Sequence, residues 1–255
     1  RIFKLRLIPG NMERMSRPWL VAFDFDHTIV DDNTDIVVRK LLPEEKLPDS
    51  VKGLYRSEGW TLYMSKVFEL LHRNSINESE INKAIEKIPA VPGMEELLER
   101  LNSSNCDIII ISDSNSIFIE RWLKHKKLDR FVSNVFTNPA KYDDNGLLKI
   151  DMYHLQDWCD LSTKNLCKGH ILESYIKESL KNGTSFDRIA YVGDGKNDFC
   201  PILKLSEKDL AFPRSDYALV KILDEARTNN THEIKAQTLP WTDGRYILKE
   251  LFPLL

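Results

Sequence analysis

The chain has 255 residues, 42% of them hydrophobic, enough to bury a full α/β core together with a small accessory domain. A formal net charge of −3 supplies no basic field, which argues against nucleic acid as a partner. No apolar run approaches the ~18 residues of a membrane span. Four cysteines (Cys106, Cys159, Cys167 and Cys200) are too few and too scattered for a disulfide framework, which fits a reducing, cytoplasmic setting.

Residues 1–18, RIFKLRLIPGNMERMSRP, are basic, do not begin with Met, and carry Met12 and Met15 as alternative starts. They read as an extension, either disordered or packed at an edge, and of vector-derived, processed or transit origin. The first buried strand is expected at Trp19 to Phe23, a short apolar run closed by polar residues. It delivers Asp24 and Asp26, two residues apart, with Thr28 following. Two carboxylates at a strand end must be solvated, paired or metal-bound. The pairing suits a division of labour, one as nucleophile and the other as acid/base and metal neighbour.

Residues 36–105 interrupt the strand pattern with helical stretches (DIVVRKLL, DSVKGLYR, WTLYMSKVFELLHR and ESEINKAIEKI) punctuated by Pro43, Pro48, Gly59 and Pro89. VPGMEELLERLN at 91–102 then reads as a core helix, with Pro92 suited to its start. CDIIIIS at 106–112 is the second buried strand and runs into Ser112, Asp113, Ser114 and Asn115. A hydroxyl and free backbone N–H groups at such a turn are natural phosphate ligands. Ser114 or Asn115 serves equally well as the N-cap of an IFIERWLKHKK helix. A strand and a hairpin around Asp144-Asn145-Gly146 are expected within 131–150.

NLCKGHILESYIKESL, from 165 to 180, is an amphipathic helix with Lys168 at its start, where an ammonium can neutralise a phosphate and a carboxylate together. Lys164 competes for that role. IAYVGDGKND at 189–198 is another strand, ending in Gly193, Asp194 and Gly195, with Asp198 close behind. In a parallel sheet, sites collect at the carboxyl ends of strands, so Asp194 and Asp198 can meet Asp24 across a long stretch of sequence. Three carboxylates without histidine or cysteine form a hard oxygen site that suits Mg²⁺ far better than Zn²⁺. Cys106 and Cys200 flank apolar segments as core thiols. The tail holds LAFPR, a helix from Ser215 to about Arg227, an edge strand near 233–238 and a last helix after Trp241.

DFDHT, the IIIIS strand, Lys168 in CKGHIL and GDGKND, in that order, resemble the four motifs of haloacid-dehalogenase-superfamily phosphatases. Within that superfamily FDFDHTIVDDNTD, ISDSNS, VFTNP, KNLCK, YVGDGKNDFCP and AFPR resemble the small phosphatases acting on phosphoethanolamine, phosphocholine or pyridoxal phosphate. The likeness runs from about residue 19 to the end. It implies an α/β fold: a doubly wound, mostly parallel sheet formed by 19–34 and 91–255, with a small helical cap at 35–90. It also implies Asp24 as nucleophile, Asp26 as proton donor and acceptor, and Ser112 and Lys168 on the phosphoryl oxygens. Mg²⁺ would be held by Asp24, the Asp26 main-chain carbonyl and Asp194. Thr28, Asn115, Gly193, Asn197 and Asp198 would support the site. Dehalogenases of the same fold lack the second acid, so Asp26 favours phosphoryl chemistry. Relatives carry Cys-x-x-Cys before the lysine, whereas here Cys159 is followed three residues later by Ser162.

Asp35 and Asp113 place further negative charge near a phosphate, which is unfavourable unless something cationic lies between them. An ammonium, a quaternary amine or a protonated pyridine on the substrate would serve. Both residues could instead cap helices, and the resemblance favours substrate contact. Tyr55, Trp60 and Tyr63 could wall such a cation or form cap core. The expected partner is a small phosphorylated metabolite, with no nucleic acid, membrane or obligate protein partner. Thiamine monophosphate or pyrophosphate as substrate, or phosphotransfer by the same fold, stand as the alternatives.

Overall fold

The computed structural model describes residues 16–55 and 59–255. The expected N-terminal extension lies outside the described residues as far as residue 15, while Ser16 already belongs to the first strand. In chain order the elements are β1 (Ser16–Phe23), α1 (Thr34–Arg39), α2 (Asp49–Lys52), α3 (Trp60–Arg73), α4 (Glu78–Glu86), α5 (Met94–Ser103), β2 (Asp107–Asn115) and α6 (Ser116–Lys126). They continue with β3 (Asn134–Asn138), β4 (Ala140–Tyr142), β5 (Leu148–Ile150), α7 (Lys168–Lys181), β6 (Ser185–Gly193) and α8 (Phe199–Ile202). The chain ends with β7 (Leu210–Pro213), α9 (Ala218–Thr228), β8 (Gln237–Thr238) and α10 (Gly244–Leu251).

Six strands form one sheet in the order β3-β2-β1-β6-β7-β8, and every pairing in it is parallel. Phe23 stands opposite Ile110 on one side and Val192 on the other, so β1 and β6 end nearly level while β2 runs on to Asn115. Strand order reverses beside β1, and that is where a parallel sheet opens a crevice at its carboxyl edge. Successive residues of β1 serve opposite faces. Val21 and Phe23 join a core with residues of α5, α6 and α10, whereas Leu20 and Ala22 join one with α7, α8 and α9.

The helices α1 to α4 lie between β1 and α5, and they do not stand apart from the sheet's core. Val38, Met64, Val67 and Phe68 belong to the same apolar cluster as Phe23 and Ile110. β4 and β5 pair antiparallel across a turn with Gly146 at φ +78°, the hairpin read from Asp144-Asn145-Gly146. The helix expected to open on Pro92 is capped by Gly93, at φ +77°, and starts at Met94. A Cβ on Gly93 would lie 2.8 Å from the Arg245 backbone, so close approach of α10 fixes that end. The edge strand expected near 233–238 is reduced to the two residues of β8.

Candidate active site

Asp24 follows β1 and its N–H donates to the Val192 carbonyl at 2.9 Å, which holds it against the end of β6. Asp194 follows β6. The carboxylates of Asp24, Asp194 and Asp198 offer oxygens that all lie within 4.8 Å of one another. Lys168, the first residue of α7 and wholly buried, places its ammonium 2.9 Å from Asp24 Oδ2 and 2.7 Å from Asp198 Oδ1. Lys164 is exposed on the rim of the cleft above, so the expected competitor does not reach the carboxylates.

Asp198 is consumed by its neighbours. Oδ1 accepts from Lys168 and from the Tyr191 hydroxyl at 2.7 Å, and Oδ2 accepts from the N–H groups of Asp194 and Gly195 at 3.0 and 2.9 Å. It therefore anchors Lys168 and the turn that presents Asp194. Thr28 donates its hydroxyl to Asp194 Oδ1 at 3.3 Å. Burial raises the Asp24 carboxyl well above the ordinary range, outweighing the Lys168 ammonium, which lowers it. Burial, with Asp198 adding to it, likewise pushes Asp194 up to about 7. Among the described residues the Lys168 ammonium pairs with two of these three clustered carboxylates, an imbalance that a hard divalent cation would relieve.

Asp26 is 7% exposed, and its two oxygens accept from the backbone N–H and the hydroxyl of Thr34 at 3.0 and 3.2 Å. The Thr34 hydroxyl is in turn 2.7 Å from that of Ser114. Burial, with Asp35 next in importance, holds Asp26 well above the usual carboxylate range, so it keeps a proton at a pH where an exposed aspartate has none. Ser112, fully buried within β2 where its apolar run stops, accepts from the Ser114 N–H at 3.3 Å. Asn115 caps α6 by accepting from the Phe118 N–H at 3.1 Å, which settles the choice between Ser114 and Asn115.

Asp35 and Asp113 are not helix caps. The cap of α1 is Asn33, which accepts from the Ile36 N–H at 2.9 Å. Asp35 is 2% exposed; Oδ2 accepts from the Trp60 indole N–H at 2.6 Å, while Oδ1 is buried with no hydrogen-bond partner among the described residues. Burial pushes Asp35 up to about 7. Asp113 is exposed and accepts from the Asn197 side chain at 3.1 Å. Its charge is felt by Asp24, Asp26 and Asp35, so it faces the same space. Trp60, Asp113, Asn165 and Asn197 line a cleft of about 440 Å³ between the helical insertion and the sheet. Tyr55, Trp60 and Tyr63 pack on one another with centroids 5.2 to 5.6 Å apart. Tyr63 is buried and Tyr55 is exposed, so the trio is part core and part wall.

The profile of the family described as Putative Phosphatase matches residues 19–255. The chain belongs to that family, and it is a phosphatase. The pyridoxal phosphate phosphatase PHOSPHO2 of Bos taurus is 40% identical over 91% of this chain and 96% of its own length. The phosphoethanolamine/phosphocholine phosphatase of Homo sapiens is 34% identical over 91% of this chain and 88% of its own. A phosphoserine phosphatase solved as a phospho-aspartyl intermediate analogue shares the fold, with a TM-score of 0.60 at 24% identity, covering 92% of this chain and 99% of that one. Among the described residues, no helix of this phosphatase is long and apolar enough to cross a membrane.

Several residues around the phosphatase's site escaped the sequence reading. Thr34 and Tyr191 are ordinary polar residues whose importance lies in contacts across the fold, such as the 80 residues separating Thr34 from Ser114. Asn165 donates to Asn138 at 2.8 Å and to the Thr61 hydroxyl at 3.2 Å, tying the cleft wall to the helical insertion. Trp60 reads from the sequence as aromatic wall or cap core, and its indole N–H serves Asp35 as well.

Proposed function

We propose that this phosphatase hydrolyses the phosphomonoester of a small cationic metabolite, with Mg²⁺ and through an aspartyl-phosphate on Asp24. Asp24 would attack phosphorus in line while the P–O bond to the leaving alcohol breaks. Asp26 would give its proton to the leaving oxygen, then take one from the water that hydrolyses the acyl-phosphate and releases phosphate. The raised proton affinity that burial gives Asp26 supports the first of these roles. Ser112 and Lys168 would hold phosphoryl oxygens, with Asn115 and Asn197 supporting the loops around them. Asp24, the Asp26 carbonyl and Asp194 would hold Mg²⁺, which supplies the charge neutralisation that lets a carboxylate approach a phosphate. Residues 35–90 would act as the cap and the remainder from 19 as the catalytic core. Cytoplasmic location is the reading that the free thiols favour.

The observation that carries the substrate class is Asp35, a buried carboxylate with one oxygen lacking any partner among the described residues, which feels the charge of Asp113 and whose own charge acts on Asp26. A cationic group on the substrate gives both acids a partner. Pyridoxal phosphate, phosphoethanolamine and phosphocholine each carry one, and the relatives above are named for them. Phosphate release measured across these three, thiamine monophosphate and pyrophosphate tests the class; preference for pyrophosphate would overturn it. Chelation should stop turnover and Mg²⁺ restore it, whereas Ca²⁺ should bind and inhibit, because its looser coordination lets a carboxylate bind through both oxygens. Asp24→Asn should fold normally yet lose activity by at least about a thousandfold, since the isosteric amide cannot form the acyl-phosphate. Substantial residual turnover in that variant rules out Asp24 as nucleophile.

A further inference from the structure

A second cluster of ligand-type side chains lies behind the catalytic lysine. Cys159, Cys167 and Cys200 are free thiols whose sulfurs all lie within 4.8 Å of one another. The Cys200 sulfur is 3.5 Å from that of Cys159 and 3.8 Å from that of Cys167. These separations match the edge of a thiolate tetrahedron, because ligands at the ~2.3 Å zinc–sulfur distance stand about 3.8 Å apart. Cys167 and Cys200 are each 1% exposed, while Cys159 closes the outer side half-buried.

The surroundings are shaped for the cluster. Gly169 leaves the space that the Cys200 sulfur fills, since a Cβ there would lie 2.5 Å from it. The loop bearing Cys159 is wound around buried Gln156. The Gln156 amide donates to the carbonyls of Cys159, Ser162 and Thr163 at 3.0, 3.2 and 2.7 Å, and its oxygen accepts from the N–H groups of Trp158 and Cys159 at 3.1 and 2.8 Å. The Ser162 hydroxyl stands 3.6 Å from the Cys159 sulfur and is thus within reach of the cluster. His154 is not the fourth ligand through Nε2, which accepts from the Cys167 N–H at 2.9 Å.

We propose that Cys159, Cys167 and Cys200 bind one soft divalent ion, Zn²⁺ above all, with the fourth position facing Ser162 and taken by its hydroxyl or by water. Binding replaces three S–H protons, which pass to solvent, by three metal–sulfur bonds; no electron moves and no oxidant is needed. The site is structural and distinct from the acidic one. Cys167 directly precedes Lys168 and Cys200 follows Asp198 by two residues. The ion therefore clamps together the two segments whose side chains meet as the Lys168–Asp198 ion pair at 2.7 Å.

Metal analysis of the full chain, purified under reducing conditions and dialysed against Mg²⁺, should find about one equivalent of zinc, released when the thiols are blocked. Cys167→Ser and Cys200→Ser should lose it, while Cys106→Ser and Asp24→Asn should keep it. Co²⁺ added to stripped protein should show thiolate charge-transfer absorption and the intense visible bands of a tetrahedral site. Ser162→Cys, supplying a fourth thiolate, should tighten zinc binding by at least about tenfold in chelator competition. Should a serine variant fail to fold, the cobalt spectrum of the unaltered chain decides the matter. Metal-free protein with three freely reactive thiols and no tetrahedral cobalt bands overturns the proposal. So does a Cys159–Cys200 disulfide found by peptide mapping, or zinc binding unchanged in Ser162→Cys.

Discussion

Asp35 is held where its charged form is disfavoured, and the fold carries that cost in a definite pH window. An unfolded aspartate releases its proton near 3.8, whereas in the folded chain burial delays release to about 7. Between those values the folded state binds more protons than the unfolded one, so stability falls as pH rises through the window. Asp35→Asn removes the titration while keeping an oxygen for the Trp60 indole. The variant should match the native chain below about pH 4 and exceed it by up to about 4 kcal/mol at pH 8, read from urea unfolding of the ligand-free protein. A difference independent of pH would rule out this account of Asp35.

The same substitution tests the use of that charge. Asp35→Asn and Asp113→Asn should each lower kcat/KM for phosphocholine or phosphoethanolamine about tenfold if roughly 1.4 kcal/mol of charge pairing is lost. On p-nitrophenyl phosphate, whose leaving group is neutral, they should be neutral or helpful because repulsion of the phosphate is relieved. Equal losses on both substrates would make the two aspartates general supports of the site. At this scale the sequence announced the acids well, since each stands where an apolar run ends or close behind it. It was silent about Thr34 and Tyr191, because a hydroxyl that bonds a carboxylate across the fold has no periodicity or spacing to reveal it.

At the scale of elements, the ends of β1 and β6 were readable because short apolar runs stop at polar residues in one register. Helix starts were harder. Pro92 carries the usual starting signal, yet Gly93 is the cap, because the close approach of α10 can be seen only in three dimensions. Gly193 shows how tightly the end of β6 is built. A Cβ there would lie 2.5 Å from Cγ and Oδ2 of Asp198. The cost of Gly193→Ala is therefore displacement of Asp198, which releases Lys168 and the N–H groups of Asp194 and Gly195 together. We expect a stability loss of about 1–3 kcal/mol, as for other overpacked sites, with a disproportionate fall in kcat. Activity and melting temperature measured on one preparation check this, and an unchanged kcat would mean that Asp198 can shift without moving Lys168.

Across the whole molecule, the helical insertion was legible as an insertion, but its attachment was not. The residues that join it to the sheet look like any amphipathic stripe. Phe68 of α3 is 1% exposed and meets Phe118 of α6 edge-on at 5.8 Å. The Trp122 indole donates to the Ile88 carbonyl at 2.9 Å, and His72 Nε2 lies 2.9 Å from the Asn145 carbonyl in the β4–β5 turn. These contacts root the base of α3 and α4 in the core, so insertion and sheet should unfold as one cooperative unit. Phe68→Ala should cost about 3–5 kcal/mol, the usual range for a buried phenylalanine, against a total stability on the order of 5–15 kcal/mol. Because Phe68 is remote from the carboxylates, kcat measured well below the transition should change little. Far-ultraviolet circular dichroism and tryptophan fluorescence should shift to lower denaturant together. Two separated transitions would show instead that the insertion folds independently, and motions admitting substrate would then involve the whole of it rather than the rim carrying Tyr55 and Trp60.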